Sequence, residues 1–251
     1  MANREKSEPR ARKRADVLLV ERGLFESRAR AQAAIEAGFV TADGKPVTKV
    51  SEAVDVSAAI EAQPAHPYVS RGGVKLAGAL AAYPVEIEDH VCLDVGASTG
   101  GFTEVLLSEG AALVFAVDVG HDQLHPSLRG DPRVVSMEST DIRSLEGKRL
   151  PQRPNVVVMD ASFISLKAIL PAALALAAAQ MHLLALIKPQ FEAPRAAIRK
   201  GIVRDAAVHR AVCDDIAAFA STLGCSHIEI FPSPIRGGDG NIEFFLGARR
   251  G

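Results

Sequence analysis

The chain has 251 residues, enough for one large domain or for one large and one small domain. Its composition, 48% hydrophobic and 24% charged, is that of a globular protein. The formal net charge of −1 excludes a chain-wide attraction to polyanions, so a nucleic-acid site would have to be a local basic patch.

The cysteines and the N-terminus indicate the compartment. Cys92, Cys213 and Cys225 have no spacing that suits zinc or a redox pair, and we therefore expect no metal centre. Unpaired cysteines fit a reducing, cytoplasmic location. The charged N-terminus lacks the apolar segment of a signal peptide, and no membrane partner is expected.

The first 62 residues predict a basic arm followed by a small α/β domain. Basic residues dominate 1–14, so this arm is expected to be flexible, either merely solvated or touching RNA through residues such as Arg14. Ser27 is a good N-cap for a helix in the domain at 15–62. The predicted elements of that domain are helices over 16–21 and 28–37, short strands around a turn at 43–44, and a strand over 54–60.

One pattern in this domain carries a resemblance. It reads Arg28, Ala31, Ile35, Gly38-Phe39-Val40, Asp43-Gly44 and Val47. The pattern resembles the S4 RNA-binding domain. The resemblance implies that Arg28 and Arg30, on the outward face of the second helix with Gln32, touch the RNA backbone. The alternative is that these arginines are only solvated.

Residues 63–68 are expected to be a linker, because Pro64 and Pro67 disfavour helix. The following domain, 69–251, alternates apolar strands with helical segments, which is typical of an α/β fold with a mostly parallel, Rossmann-like sheet. Its predicted strands are 91–95, 113–119, 133–137, 155–159, 183–187, 226–231 and 242–246, the last two forming an antiparallel hairpin.

The nearly continuous apolar stretch at 169–187 could be a membrane span. It also reads as an alanine-rich helix over 172–179 followed by the strand 183–187. Pro171, Gln180 and His182 interrupt it, and a spanning helix needs roughly 20 continuous apolar residues. We favour the buried helix and strand.

The stretch 94–102 reads strand, glycine loop, helix. Glycines allow the backbone to approach a ligand closely, and the helix N-terminus behind them offers free N–H groups. This arrangement predicts a nucleoside-bearing cofactor. The predicted contact residues are Asp94, Gly96, Ser98, Thr99, Gly100, Gly101 and Phe102.

The spacing and the acids around this loop select among cofactors. The wide glycine spacing departs from the dinucleotide pattern G-x-G-x-x-G. Asp94 would attract the α-ammonium of S-adenosylmethionine and repel a pyrophosphate. Asp118 and Asp141 follow the next two strands, where a ribose diol and an adenine amino group would need acceptors. The sequence therefore favours S-adenosylmethionine over NAD.

Two residues stand at strand ends where catalytic groups gather. Asp160 ends the apolar run 156–159, and Lys188 ends 183–187. A lysine in that place is costly unless it is used or paired, the alternative being a snorkelling side chain. With Lys75 before them and Glu243 after them, they follow the order of the Lys-Asp-Lys-Glu tetrad.

That tetrad resembles the one of FtsJ-type 2′-O-ribose methyltransferases. With the S4-like domain in front, residues 14–249 resemble the TlyA (haemolysin A) family of ribosomal RNA ribose methyltransferases. Ser98-Thr99 replaces the Ala-Pro of general FtsJ-type enzymes, a variant typical of the TlyA branch. The resemblance implies that Lys188 acts at the 2′-hydroxyl, that Asp160 orients it, and that Lys75 and Glu243 tune charge and position.

The expected partner is ribosomal RNA or a ribosomal subunit. The low aromatic content, 5% with no Trp, favours a structured RNA recognised through its backbone. Two other hypotheses stay open, a non-catalytic ribosome assembly factor and a pore-forming cytolysin, as the family name suggests. Further RNA-contact candidates are Arg71, Arg195, Arg199, Lys200, Arg204 and Arg236, although the cluster at 195–204 could equally be a plain charged loop.

Overall fold

The computed structural model describes residues 11–237 and 240–251. The chain divides into two compact units, with the boundary between Pro67 and Tyr68. Most of the predicted basic arm and residues 238–239 lie outside the described residues.

The first unit packs two helices against short antiparallel strands. Ser27 Oγ accepts a hydrogen bond from Arg30 N (3.3 Å), so the second helix begins where the sequence predicts it. Buried apolar side chains such as Leu19, Ile35 and Val40 form its core. The elements are β1 (Arg12–Arg14), α1 (Ala15–Glu21), α2 (Arg28–Glu36), β2 (Val40–Ala42), β3 (Lys45–Pro46), β4 (Ala53–Asp55) and β5 (Ile60–Ala62).

Two expectations for this unit are wrong. The end of the predicted flexible arm is strand β1, because it pairs antiparallel with β4, with Arg14 opposite Ala53. The predicted strand at 54–60 is divided between β4 and β5. Asp55 Oδ1 accepts hydrogen bonds from Ser57 N (2.8 Å) and Ser57 Oγ (2.6 Å), which turns the chain between them.

The second unit is an α/β layer structure built on a seven-stranded sheet. Its helices are α3 (Arg71–Ala82), α4 (Gly101–Ser108), α5 (Pro126–Arg129), α6 (Leu166–Leu176), α7 (Pro189–Glu192) and α8 (Ala206–Thr222). Its strands are β6 (Val91–Val95), β7 (Leu113–Val117), β8 (Val134–Met137), β9 (Val156–Met159), β10 (Met181–Ile187), β11 (Ser226–Pro232) and β12 (Phe244–Arg250).

The strand order is β11-β12-β10-β9-β6-β7-β8. Strands β6 to β10 are parallel to one another, and β12 is antiparallel to both of its neighbours, β10 and β11. Successive residues of the central strands enter different cores: Leu93 and Val157 lie on one face, Cys92 and Val158 on the other. The chain leaves β6 toward β7 and later returns through β9 on the other side. The strand order therefore reverses between β6 and β9, where such sheets bind ligands.

Two elements in this unit differ most from the sequence-based expectation. The helix expected at 172–179 is α6, which begins before Pro171 because Ser165 Oγ accepts from Lys167 N (3.1 Å) and caps its start. The last strand is β12 and not the predicted 242–246. Asn241, which precedes it, accepts a hydrogen bond at Oδ1 from Val203 N (3.1 Å). Among the described residues, no helix is long and apolar enough to cross a membrane.

Candidate active site

The glycine loop joins the end of β6 to α4 at the reversal of strand order. Gly96 has φ +85°, and a Cβ there would stand 3.0 Å from the backbone of Ala161. Gly100 has φ +98° and precedes α4, where a Cβ would overlap the Leu128 side chain. At Gly101 a Cβ would meet the backbone nitrogen of Gly73 at 2.7 Å. The loop conformation therefore requires small residues at these positions.

The other loop residues are fixed by neighbours. Ser98 N donates to Asp118 Oδ2 (2.8 Å), and Ser98 Oγ donates to Gln123 Oε1 (3.2 Å). Phe102 is buried and stacks on Phe245, with ring centroids 6.2 Å apart. The backbone carbonyl of Thr99 accepts from His125 N (3.1 Å).

Two cavities open beside this loop. The larger, about 580 Å³, is lined by the glycine loop and by residues that follow β7, β8 and β9, including Asp118, Asp141 and Asp160. The smaller, about 230 Å³, lies between the start of α3 and the loop and is lined by Thr99, Phe102 and Lys188 among others. Asp160 and Ser162 line both cavities.

The three acids predicted for the cofactor have different surroundings. Asp118 accepts from the loop and from Gly120 N (2.7 Å) while lining the larger cavity. Asp141 also lines this cavity, and the Arg143 guanidinium that binds both of its oxygens lowers the pKa of its carboxyl.

Asp94 does not line either cavity, so the expected direct contact with an ammonium group is not what the structure shows. It lies within β6, as the predicted strand 91–95 implies, and it is completely buried. Its Oδ2 accepts from Thr103 Oγ1 (2.8 Å), and its Oδ1 has no hydrogen-bond partner. Burial raises the pKa of Asp94 to about 7.

The predicted tetrad forms two ion pairs. Lys75 Nζ, from α3, lies 2.7 Å from Glu243 Oε2, and both side chains are buried. Lys188 Nζ lies 2.8 Å from Asp160 Oδ1. The second contact is an ion pair rather than an aligned hydrogen bond.

Sequence reasoning missed two polar residues that contact the tetrad. Ser162 Oγ lies 2.7 Å from Lys188 Nζ. Gln190 Nε2 donates to Glu243 Oε1 (3.4 Å), so the segment after Lys188 also contacts the other ion pair. Both residues lie two positions from a tetrad member, which is the one signal in the sequence that pointed to them.

The arginines predicted to bind RNA in the first unit are partly engaged inside it. Asp16 is completely buried, and Arg14, Arg28 and Gln32 all donate to its carboxylate. Gln32 is therefore not simply outward. Arg14 holds the pKa of Asp16 well below its usual range. The side chains of Arg14 and Arg28 remain about half exposed (50% and 56%), and that of Arg30 is 22% exposed.

The candidates in the second unit lie on its surface. Arg71 is exposed on the rim of the smaller cavity and donates to the carbonyl of Arg236 (3.0 Å). Arg236 in turn donates to the carbonyl of Gly240 (3.2 Å). The four cations between α7 and α8 are also exposed; they are Arg195, Arg199, Lys200 and Arg204.

Known families match both units. Residues 68–250 match the FtsJ-like methyltransferase family and residues 13–60 the S4 domain. The 16S/23S rRNA (cytidine-2′-O)-methyltransferase TlyA of Mycobacterium tuberculosis is 43% identical over 243 residues, covering 95% of this chain and 90% of that protein. Hemolysin A of Brachyspira hyodysenteriae is 39% identical over 233 residues, covering 92% of this chain and 97% of that protein.

A solved structure described as a candidate hemolysin from Streptococcus thermophilus superposes with a TM-score of 0.77 at 42% identity. It covers 96% of this chain, and this chain covers 90% of it. These matches extend over both units, as the sequence resemblance implies. The chain therefore belongs to the TlyA (hemolysin A) family, whose members join an S4 domain to an FtsJ-like methyltransferase domain.

Proposed function

We propose that this chain transfers the methyl group of S-adenosylmethionine to the 2′-hydroxyl of a ribose in ribosomal RNA. The observation that carries the proposal is the Lys188–Asp160 pair at 2.8 Å, because Asp160 lines both the nucleoside-sized cavity and the smaller cavity beside it. The M. tuberculosis relative, named as an rRNA cytidine-2′-O-methyltransferase, supports the same reaction.

The larger cavity fits S-adenosylmethionine. Its volume of about 580 Å³ suits a nucleoside with an amino-acid arm. Gly96 leaves room for close approach, since the place of its missing Cβ is only 3.0 Å from the backbone beyond β9. Asp118 keeps free lone pairs for the ribose hydroxyls, although two backbone N–H groups already bind it. The buried Asp94 would add negative potential beside this cavity only in its ionised form, because burial raises the pKa of its carboxyl to about 7.

When bound, the cofactor supplies an electrophilic methyl group on a sulfonium. We assign to Lys188 the placing of the ribose 2′-oxygen, and in its neutral form the acceptance of the hydroxyl proton. Asp160 holds the Lys188 amine in place, and the buried Lys75–Glu243 pair supports the neighbouring wall through Gln190. Positioning of the two reactants supplies much of the rate in such a site.

The substrate class rests on the first unit and on surface charge. The S4 match and the half-exposed Arg14 and Arg28 support RNA binding there. The exposed cations between α7 and α8 support phosphate contacts beside the catalytic segment. We place the activity in the cytoplasm, where ribosomal subunits are found.

The test uses S-adenosylmethionine with a labelled methyl group and ribosomal subunits from cells lacking the gene. After digestion of the RNA to nucleosides, we expect the label in a 2′-O-methylnucleoside for the wild type and no label for Lys188→Ala. Lys167→Ala is the matched control, because Lys167 pairs with Asp215 away from both cavities. Label in a methylated base would contradict the ribose assignment. No cofactor binding, even with subunits present, would favour the assembly-factor hypothesis.

A further inference from the structure

The Nζ atom of Lys188 is surrounded by three acceptors. Ser162 Oγ lies at 2.7 Å, Asp160 Oδ1 at 2.8 Å and the Asp160 carbonyl oxygen at 3.4 Å. The Ser162 hydroxyl and the Asp160 carbonyl oxygen accept hydrogen bonds from the amine, whereas the Asp160 carboxylate forms an ion pair with it. Lys188 is only 7% exposed, and water has little access to replace any of the three.

Ser162 is held in place by the same segment that carries Lys188. Glu192 accepts hydrogen bonds from Ser165 Oγ (2.6 Å) and Leu166 N (2.7 Å), which fixes the far end of the loop 160–165. Phe191 packs against Phe163, with ring centroids 5.0 Å apart. The loop and the segment 188–192 are therefore joined by three separate contacts.

The conformation of this loop is strained. Phe163 has φ +64°, which is unfavourable for a bulky residue and persists only where surrounding contacts enforce it. The Phe163 side chain is itself exposed, and the contacts of Lys188 with Ser162 and of Glu192 with Ser165 hold the loop on either side of it. The left-handed conformation of Phe163 turns the chain directly after Ser162. The Ser162 hydroxyl contacts Lys188 on the wall that both cavities share, which includes Asp160 and Ser162.

We infer that Ser162 is a positioning residue for Lys188. Its hydroxyl accepts a hydrogen bond from the Lys188 amine and directs Nζ along the shared wall. The contact itself is geometric, while its effect on methyl transfer rests on the proposed function. Ser162 differs from Asp160 in carrying no charge, so its removal changes the direction of the Lys188 amine without leaving an unpaired ion.

The experiment follows Lys188 directly and does not depend on activity. Lysine side chains are labelled with ¹³C, and the Lys188 signal is assigned with Lys188→Met. Because the Ser162 hydroxyl fixes the direction of the amine, Ser162→Ala should displace the Lys188 Cε signal in the NMR spectrum from its wild-type position. Ser162→Thr keeps the hydroxyl and should restore the wild-type position. Ser108→Ala removes a hydroxyl that donates to the Val105 carbonyl (2.8 Å) away from both cavities, and should leave the Lys188 signal in place.

Steady-state kinetics with ribosomal subunits give the second readout. Ser162→Ala should lower kcat about 10-fold and change both KM values less than about 2-fold, and Ser162→Thr should recover most of the lost kcat. An unmoved Lys188 signal in Ser162→Ala, or an equal effect of Ser108→Ala, would overturn the inference. If the signal moves but the wild type methylates no RNA, the ribose function fails while the contact is supported.

Discussion

Substitutions in the buried ion pair Lys75–Glu243 should affect stability and activity differently. Lys75→Met leaves a Glu243 carboxylate that is 3% exposed, with a 3.4 Å hydrogen bond from Gln190 as its remaining side-chain partner. Removing one partner of a buried pair typically costs about 3–5 kcal/mol. In a unit of this size 1 kcal/mol shifts Tm by about 2–4 °C, so Tm should fall by about 6–20 °C.

The double variant Lys75→Met with Glu243→Gln removes both charges. Its loss of stability should be smaller than that of either single variant, because neither member then remains as an uncompensated buried ion. Differential scanning calorimetry on the full chain, following the transition of the larger unit, measures the three variants against the wild type. All three variants should lack methyl transfer. The double variant can recover stability without the two charges, but the proposed methyl transfer requires both of them.

The reasoning would be refuted if the destabilisations of the two single variants simply added in the double variant. That result would mean that Lys75 and Glu243 are not energetically coupled, despite their 2.7 Å separation. Full activity of the stabilised double variant would remove this pair from the proposed mechanism while leaving its structural role intact.

Three other predictions follow. Burial raises the pKa of Asp94 from 3.8 to about 7, so the folded state retains a proton that the unfolded chain releases. The free energy of unfolding should therefore fall as pH rises between these values, by up to about 1.4 kcal/mol per pH unit. Asp94→Asn should lack this slope in urea titrations. Gly96→Ala should weaken S-adenosylmethionine binding in calorimetry and destabilise more than Gly201→Ala, which has φ +76° but no atom within 4 Å of the new Cβ. Neutralising the exposed cations between α7 and α8 should weaken rRNA binding and lower the slope of log K against log salt by about one per lost phosphate contact; these cations are Arg195, Arg199, Lys200 and Arg204.

Each of these has a contradicting outcome. A parallel pH slope in wild type and Asp94→Asn would show that the carboxyl titrates normally. Equal losses for Gly96→Ala and Gly201→Ala would mean that backbone conformation alone, and not the approach to Ala161, requires glycine. An unchanged salt slope after neutralisation would place the RNA backbone elsewhere on the surface.

The strands and the layer architecture could be predicted because they depend on local pattern. The central strands are fully buried, so they appear in the sequence as short apolar runs such as β9, with helical segments between them. Helix ends were less accurate where a distant residue supports the helix start. Ser165 caps α6 before Pro171, and Glu192, far along the chain, accepts a hydrogen bond from Leu166 N in its first turn.

The sequence singled out the four tetrad residues that the structure brings together in two ion pairs, but it did not indicate which of them would be in contact. Lys75 and Glu243 are 168 positions apart, and no local pattern indicates which lysine meets which carboxylate. Asp94 was expected to face the ligand because it precedes the glycine loop; its place inside β6 instead directs it to Thr103. Likewise, Asp16 looks like an ordinary first-turn acid, and only folding shows that it binds Arg14 and Arg28.

Alkaline hydrolysis of ribosomal RNA tests the central claim most directly. A ribose with a methylated 2′-oxygen cannot attack the adjacent phosphodiester, so that bond resists alkali. RNA methylated by the wild type should show at least one resistant bond that is missing after treatment with Lys188→Ala. Methyl incorporation with every bond still labile to alkali would contradict ribose methylation and leave a base as the acceptor.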